Sequence, residues 1–178
     1  MEKGKCFILK ESSKEEPIYV YLINEIREEN LSAYRIRVSK NGVDAWDFPE
    51  EYDEEIPDDA IYSPEETYQK VKDRINEFVN EVSLYIQEHI VKEDFKLEVG
   101  KRYYDGFIYT VTEIGESDVY YDLFRLDPEF ISPTCSGIAM IDGIEKHWYT
   151  ISDEIYQEVM NRYKTFVANL QDFLFYLG

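Results

Sequence analysis

Residues 21–38, YLINEIREENLSAYRIRV, lie without a gap over residues 109–126, YTVTEIGESDVYYDLFRL, and residues 65–82 lie over residues 153–170 at the same offset of 88. Twelve of those 36 positions are identical, among them Tyr21/Tyr109, Glu25/Glu113, Ile26/Ile114, Arg37/Arg125, Tyr68/Tyr156, Arg74/Arg162 and Phe78/Phe166. A repeat constrains architecture before any single motif does, because each copy must form the same supersecondary unit. The expected organisation is a tandem duplication: one unit over residues 1–90, a second over 91–178, packed together as one compact pseudo-twofold pair.

Within each copy the pattern reads strands first and helix last. In the first copy KCFIL, IYVYLINEI and AYRIRVS are β-rich runs, with a weaker fourth around Ala45 and Trp46. REEN (27–30) and GESD (115–118) separate strand-like runs as four-residue hairpin turns, and Asp105-Gly106 is a two-residue hairpin signal. The counterpart of that turn in the first copy is the longer ESSKEEP loop, residues 11–17, and a last hairpin is expected around Asp142-Gly143. Ser63-Pro64-Glu65-Glu66 reads as a helix start, with Ser at the N-cap, Pro at N1 and Glu at N3. Val71, Ile75, Phe78, Val79, Val82, Ile86 and Ile90 then recur at three- and four-residue spacing. A second stripe runs through Ile155, Val159, Tyr163, Phe166, Val167, Leu170, Phe173, Leu174 and Leu177, after a start near Thr150 or Ser152. The fold class is α+β: an antiparallel β-β-β-(β)-α unit, twice, each helix laid across its own sheet.

Alternation assigns faces. Phe107, Tyr109 and Val111, with Tyr19, Tyr21 and Ile23 in the first copy, are read as inward. Val20 and Leu22 stand at outward positions, where the second copy has threonines. A cover made by residues 40–60 folding back is therefore expected in the first copy alone. The closing segment QDFLFYLG is apolar nearly all round. Either both of its sides are buried within the chain, or it docks on a second molecule as a homo-oligomer.

The chain carries 38 Asp and Glu against 19 Lys and Arg, a net charge of −19, and both copies share in it. Such a charge favours basic partners and repels nucleic acid and anionic membranes, so neither direct nucleic-acid binding nor membrane association is expected. Residues 1–10 lack the apolar core of a signal peptide, and no run has the length of a membrane span. Cys6 and Cys135 are read as free thiols in a reducing compartment, and a cytoplasmic location follows.

No Walker loop, GxGxxG turn, zinc-ligand spacing or HExxH occurs, and His89 and His147 are unclustered. The chain is read as a non-enzymatic protein with no cofactor and no metal. The acidic segment 44–59, DAWDFPEEYDEEIPDD, is its densest charge feature. Asp44, Asp47, Glu50, Glu51, Asp53, Glu54, Glu55, Asp58 and Asp59 would steer a basic protein partner, with Trp46 and Tyr52 as anchors. The expected function is occupation of a basic, even nucleic-acid-binding, site on that partner, in the style of an immunity protein or a phage-type inhibitor that mimics DNA. Two alternatives stand beside it. One is a ligand or catalytic pocket between the copies, lined by Glu25, Glu113, Tyr21 and Tyr109. The other is a structural subunit that assembles through the last helix.

Overall fold

The computed structural model describes residues 3–10, 13, 16–26, 30–52, 56–57, 60–90, 95–144 and 148–177. Its elements in chain order are β1 (Cys6–Leu9), β2 (Ile18–Ile26), β3 (Leu31–Ser39), β4 (Gly42–Ala45), β5 (Glu50–Tyr52), β6 (Ile61–Ser63), α1 (Glu65–His89), β7 (Arg102–Tyr104), β8 (Ile108–Ile114), β9 (Asp118–Asp127), β10 (Phe130–Met140), α2 (Ile141–Ile144), β11 (Tyr149–Ile151) and α3 (Asp153–Phe175). The class is α+β. The chain divides into two compact units: 1–77 with 128–130 and 164–178, and 78–127 with 131–163. Each unit thus holds part of α1 and part of α3. No helix among the described residues is long and apolar enough to cross a membrane.

Unit one has the strand order β6-β1-β2-β3-β4, with β5 pairing on β3 beside β4. The Ala45 amide donates to the Glu129 carbonyl at 2.7 Å, which ties residues 128–130 to this unit. Both faces of its sheet are buried. Cys6, Ile8, Val20, Ile36 and Val38 line one face, and Tyr68, Val71 and Ile75 of α1 are buried with them. The Tyr68 backbone lies close enough to the Cys6 thiol to act on it, which places the helix on that side. Phe7, Ile23, Leu31 and Ala33 form a second core on the other face, covered by Tyr52, Ile56 and Ala60.

Unit two has the order β11-β7-β8-β9-β10. Ile108 and Phe124 pair across β8 and β9, and Tyr163 of α3 meets the Phe124 ring edge-on at 5.2 Å. On the opposite face Tyr103, Val111, Val119, Ile144 and Trp148 form a separate core. Gly137 of β10 lies under the Tyr121 ring: a Cβ built there would come within 2.6 Å of it. Positions 88 or 96 residues apart do matching work in the two units. The register breaks between Ile23 and Glu25 in β2, and between Val111 and Glu113 in β8. Gly4 and Gly100 sit at φ 82° and 83°, a region costly for other residues. Their amides reach the carbonyls of Ile23 (2.9 Å) and Val111 (2.8 Å).

Several local expectations are corrected. Val20 faces α1 between Ile8 and Ile36, and its counterpart 88 residues on is the equally buried Ile108 rather than a threonine. The returning segment of unit one covers the Phe7/Tyr21 face instead. Strands apolar at both parities, as β2 is, need a cover on each side, so parity alone does not say which face meets the helix. Ser63 ends β6, and its hydroxyl lies 2.6 Å from that of Thr67, while Thr67 N–H donates to the Pro64 carbonyl at 2.9 Å. The helix starts one residue later than the capping pattern implies. In α3 the N-cap is Ser152, whose Oγ accepts from Ile155 N–H at 3.3 Å. The hairpin around Asp142-Gly143 gives way to α2, and Tyr149–Ile151 pairs with β7.

The GESD turn joins β8 to β9 through Gly115 N–H and the Asp118 carbonyl, 2.8 Å apart. Residues 27–29 of the REEN turn, and 11, 12, 14 and 15 of the ESSKEEP loop, lie outside the described residues. Filling the contact under Tyr121 gives a direct test. Gly137→Ala is expected to lower unfolding free energy by about 1–3 kcal/mol in urea titration, whereas Ser136→Ala, at an exposed neighbour, leaves it unchanged.

Candidate functional site

Strand pairing in unit one builds two cross-strand rows on the face away from α1. One runs Phe7, Tyr21, Arg35; the other runs Leu9, Tyr19, Arg37, Asp44. Phe7 and Tyr21 stack at 4.7 Å between ring centroids, and Tyr52 meets Tyr21 edge-on at 5.5 Å. Arg35 Nη2 lies 3.3 Å from Glu50 Oε2, which also accepts from the Tyr52 hydroxyl at 2.5 Å. Burial and that bond to Glu50 push the Tyr52 phenol well above its ordinary range. Arg37 Nε contacts Asp44 Oδ2 at 2.6 Å. Desolvation raises the Asp44 carboxyl, with Arg37 opposing the rise.

The residues expected to meet a partner are therefore divided among several roles. Asp44 is buried in β4 against Arg37, and Glu50 and Tyr52 belong to the Arg35 network. Asp47 is exposed and ion-paired with Lys72 of α1, and Glu51 is exposed. Trp46 is half-buried, with its ring 5.4 Å from that of Phe48, which is 56% exposed. Asp53, Glu54, Glu55, Asp58 and Asp59 lie outside the described residues.

Tyr21 and Glu25 separate within β2. Tyr21 is in the aromatic layer, while Glu25 is exposed beyond the register break, beside an open depression of about 440 Å³ lined also by Lys3, Asn24 and Ile26. Tyr109 and Glu113 separate in the same manner along β8. Tyr109 stacks on Trp148 at 4.3 Å and meets Tyr121 edge-on at 4.9 Å. Trp148 Nε1–H donates to Asp105 Oδ2 at 3.2 Å. Burial, reinforced by a hydrogen bond to Asp105, pushes the Tyr109 phenol strongly upward. With Trp148 only 7% exposed, this is a filled aromatic layer anchored on one carboxylate.

Among the described residues no three His, Cys, Asp or Glu side chains converge as a metal site requires. His89 Nδ1 sits 2.7 Å from the Tyr85 carbonyl at the end of α1, and His147 lies outside the described residues. Both cysteines are free; burial pushes the Cys6 thiol up to about 12. Within unit one the end of α3 is covered by cations. The Arg74 guanidinium lies 4.0 Å from the Phe173 ring centroid, and Lys10 Nζ lies 5.1 Å from that of Phe175.

No protein-family model matches the chain, and neither a curated protein nor a solved structure matches it. Sequence reasoning missed Arg35, Asp105 and Trp148 as organising residues. Arg35 was open to detection, standing two residues before Arg37 on the same strand face. Asp105 is masked by its turn-forming role, and Trp148 lies beyond a turn that was misassigned.

The phenols of Tyr21, Tyr52, Tyr68, Tyr103, Tyr109 and Tyr121 are all raised, burial being the first cause in each. The folded chain therefore keeps phenolic protons that the unfolded chain releases above about pH 10. Stability conferred by these groups is complete below that pH and falls as pH rises through the folded values. Tyrosinate absorbance is expected to rise late and together with unfolding. In Asp105→Ala, Tyr109 should ionise at lower pH than in the parent chain, though still above the ordinary value.

Proposed function

We propose that this chain is a non-enzymatic binding protein that occupies a basic site on a partner protein. The observation that carries the reading is the Trp46–Phe48 ring pair, with Phe48 exposed and with two exposed carboxylates close in sequence, Glu51 and the Lys72-paired Asp47. Large rings held at the surface are the side chains that anchor interfaces, and flanking carboxylates speed encounter with a cationic surface. Acidic side chains outnumber basic ones 38 to 19, so the chain carries a large excess of negative charge. A partner's lysines and arginines would supply the missing countercharge, as they otherwise do for phosphates.

The same reading takes the chain as a tandem duplication. Support comes from the 88-residue correspondence of α1 and α3, the matched register breaks, and two cation–ring pairs. Arg74 covers Phe173, and Arg162 covers Tyr85 at 4.1 Å; both partners of the second pair are the 88-residue counterparts of the first. A shared scaffold places function where the halves differ, and the Trp46–Phe48 segment has no counterpart by sequence. Two free thiols fit a cytoplasmic location.

Affinity capture from the native host with the full chain tests this reading. The expected catch is a basic protein, released as salt rises from low to physiological strength and above. Phe48→Ala combined with Glu51→Lys is expected to reduce capture at least about tenfold. A neutral or acidic catch, or retention indifferent to salt, contradicts the reading.

A further inference from the structure

The sheet of unit two is covered unevenly. On the α3 side, Ile108 and Phe124 are buried near Tyr163, but the same face farther along the strands is open. Gly137 faces the Tyr121 ring, and Ala139 packs against the Trp148 core, so Ile138 and Met140 point to the opposite face, with Tyr120. These three side chains are 43% (Tyr120), 54% (Ile138) and 67% (Met140) exposed. Tyr120 pairs with Glu113 across β8 and β9, and Asp122 pairs with Thr110 on the same face. Glu113, Glu116 and Asp122 are exposed around the patch, and Asp118 accepts from the Ser117 hydroxyl at 3.2 Å.

Among the described residues of this unit, four cations have carboxylate partners outside that rim. In this unit Lys96, Arg102, Arg125 and Arg162 are paired with Glu98, Asp153, Asp127 and Glu158. The position in unit one 88 residues before Tyr120 is Ser32, buried and 3.4 Å from Asn24 Nδ2. An exposed ring at this position is thus particular to unit two.

We infer that this open face, formed by Tyr120, Ile138 and Met140, docks an amphipathic helix of a partner protein whose apolar stripe is flanked by Lys or Arg. The inference rests on the reading of the chain as an acidic binding protein, and it adds a second surface to the Trp46–Phe48 segment. A sheet face is ordinarily closed by a helix, and α3 closes only the near end of this one. Carboxylates on the rim select the charge of the occupant, and the apolar centre selects its periodicity. A second copy of this chain is disfavoured, because it would set one acidic rim against another.

The test uses amide-resolved NMR on the full chain, titrated with a synthetic Lys/Leu peptide of helical periodicity. Controls are a scrambled peptide of the same composition and a Glu/Leu counterpart. The expected result is saturable shifts at residues 118–122 and 136–140. Affinity should fall at least about tenfold for the scrambled peptide and for Ile138→Lys. The Glu/Leu peptide should not bind. Glu113→Lys with Asp122→Lys, both exposed, provides a second variant should Ile138→Lys perturb the fold, and the same loss is expected. Saturable shifts confined to the Trp46–Phe48 segment would overturn this surface and leave the binding reading standing. Equal binding of the scrambled peptide would overturn it as well. A concentration-dependent rise in mass abolished by Ile138→Lys would assign the patch to self-association instead. No saturable binding of either Lys/Leu peptide would overturn this surface, while salt-sensitive capture of a basic host protein would still uphold the broader reading.

Discussion

The strands of each unit are apolar on both faces, and the rest of the structure follows from having to cover both faces. The first cover is supplied by long amphipathic helices, whose buried stripes include Val71 and Ile75 in unit one and Val159 and Tyr163 in unit two. The second cover is made locally and differently in each unit. Unit one uses the returning segment that brings Tyr52, Ile56 and Ala60 over Phe7 and Ile23. Unit two uses Trp148 and Ile144 over Tyr103 and Val111. Each second cover is fastened by one carboxylate, Glu50 bound by Tyr52 and Arg35, or Asp105 bound by Trp148. Buried aromatic hydroxyl and indole groups need such acceptors, since an unpaired polar atom in a core is costly.

Local periodicity made the helices and the long strands legible in the sequence. The stripes from Val71 to Ile86 and from Ile155 to Leu174 are buried as their spacing implies, apart from the half-buried Phe166 and Phe173, and β2 spans the run IYVYLINEI. What the sequence left hidden was non-local. Nothing near Tyr149 announces that it pairs with Tyr104, because the partner strand lies more than forty residues earlier. Tyr21 and Tyr109 do face inward, but onto the cores away from the helices, because alternation identifies two faces without naming their covers. Asp44 looked like part of a solvated acidic run, yet it is a strand residue opposite Arg37. Of the candidate site, the aromatic content of the 44–59 segment was legible, but Trp46 and Tyr52 are half-buried and the exposed ring is Phe48, while the Arg35 network and the open face of β9 and β10 required the strand registers.

The charge excess and the two-faced sheets are linked. Building the second covers consumes few carboxylates, and acidic side chains outnumber basic ones 38 to 19 in the chain. That distribution lowers the electrostatic cost of approach for a cationic protein and raises it for another copy of the chain. Recognition can then reside in surfaces that the scaffold does not need, such as Phe48 in unit one and Ile138 with Met140 in unit two.

The central claim is that the second cover is structural rather than decorative, and Trp148→Ala probes it most directly. Trp148 stacks on Tyr109 and Tyr103 and is nearly buried, so its removal leaves a cavity over the sheet. Equilibrium unfolding in urea, followed by far-ultraviolet circular dichroism, should then give a loss of about 3–5 kcal/mol relative to the parent chain. A loss below about 0.5 kcal/mol, the scale of a surface substitution, would contradict the account.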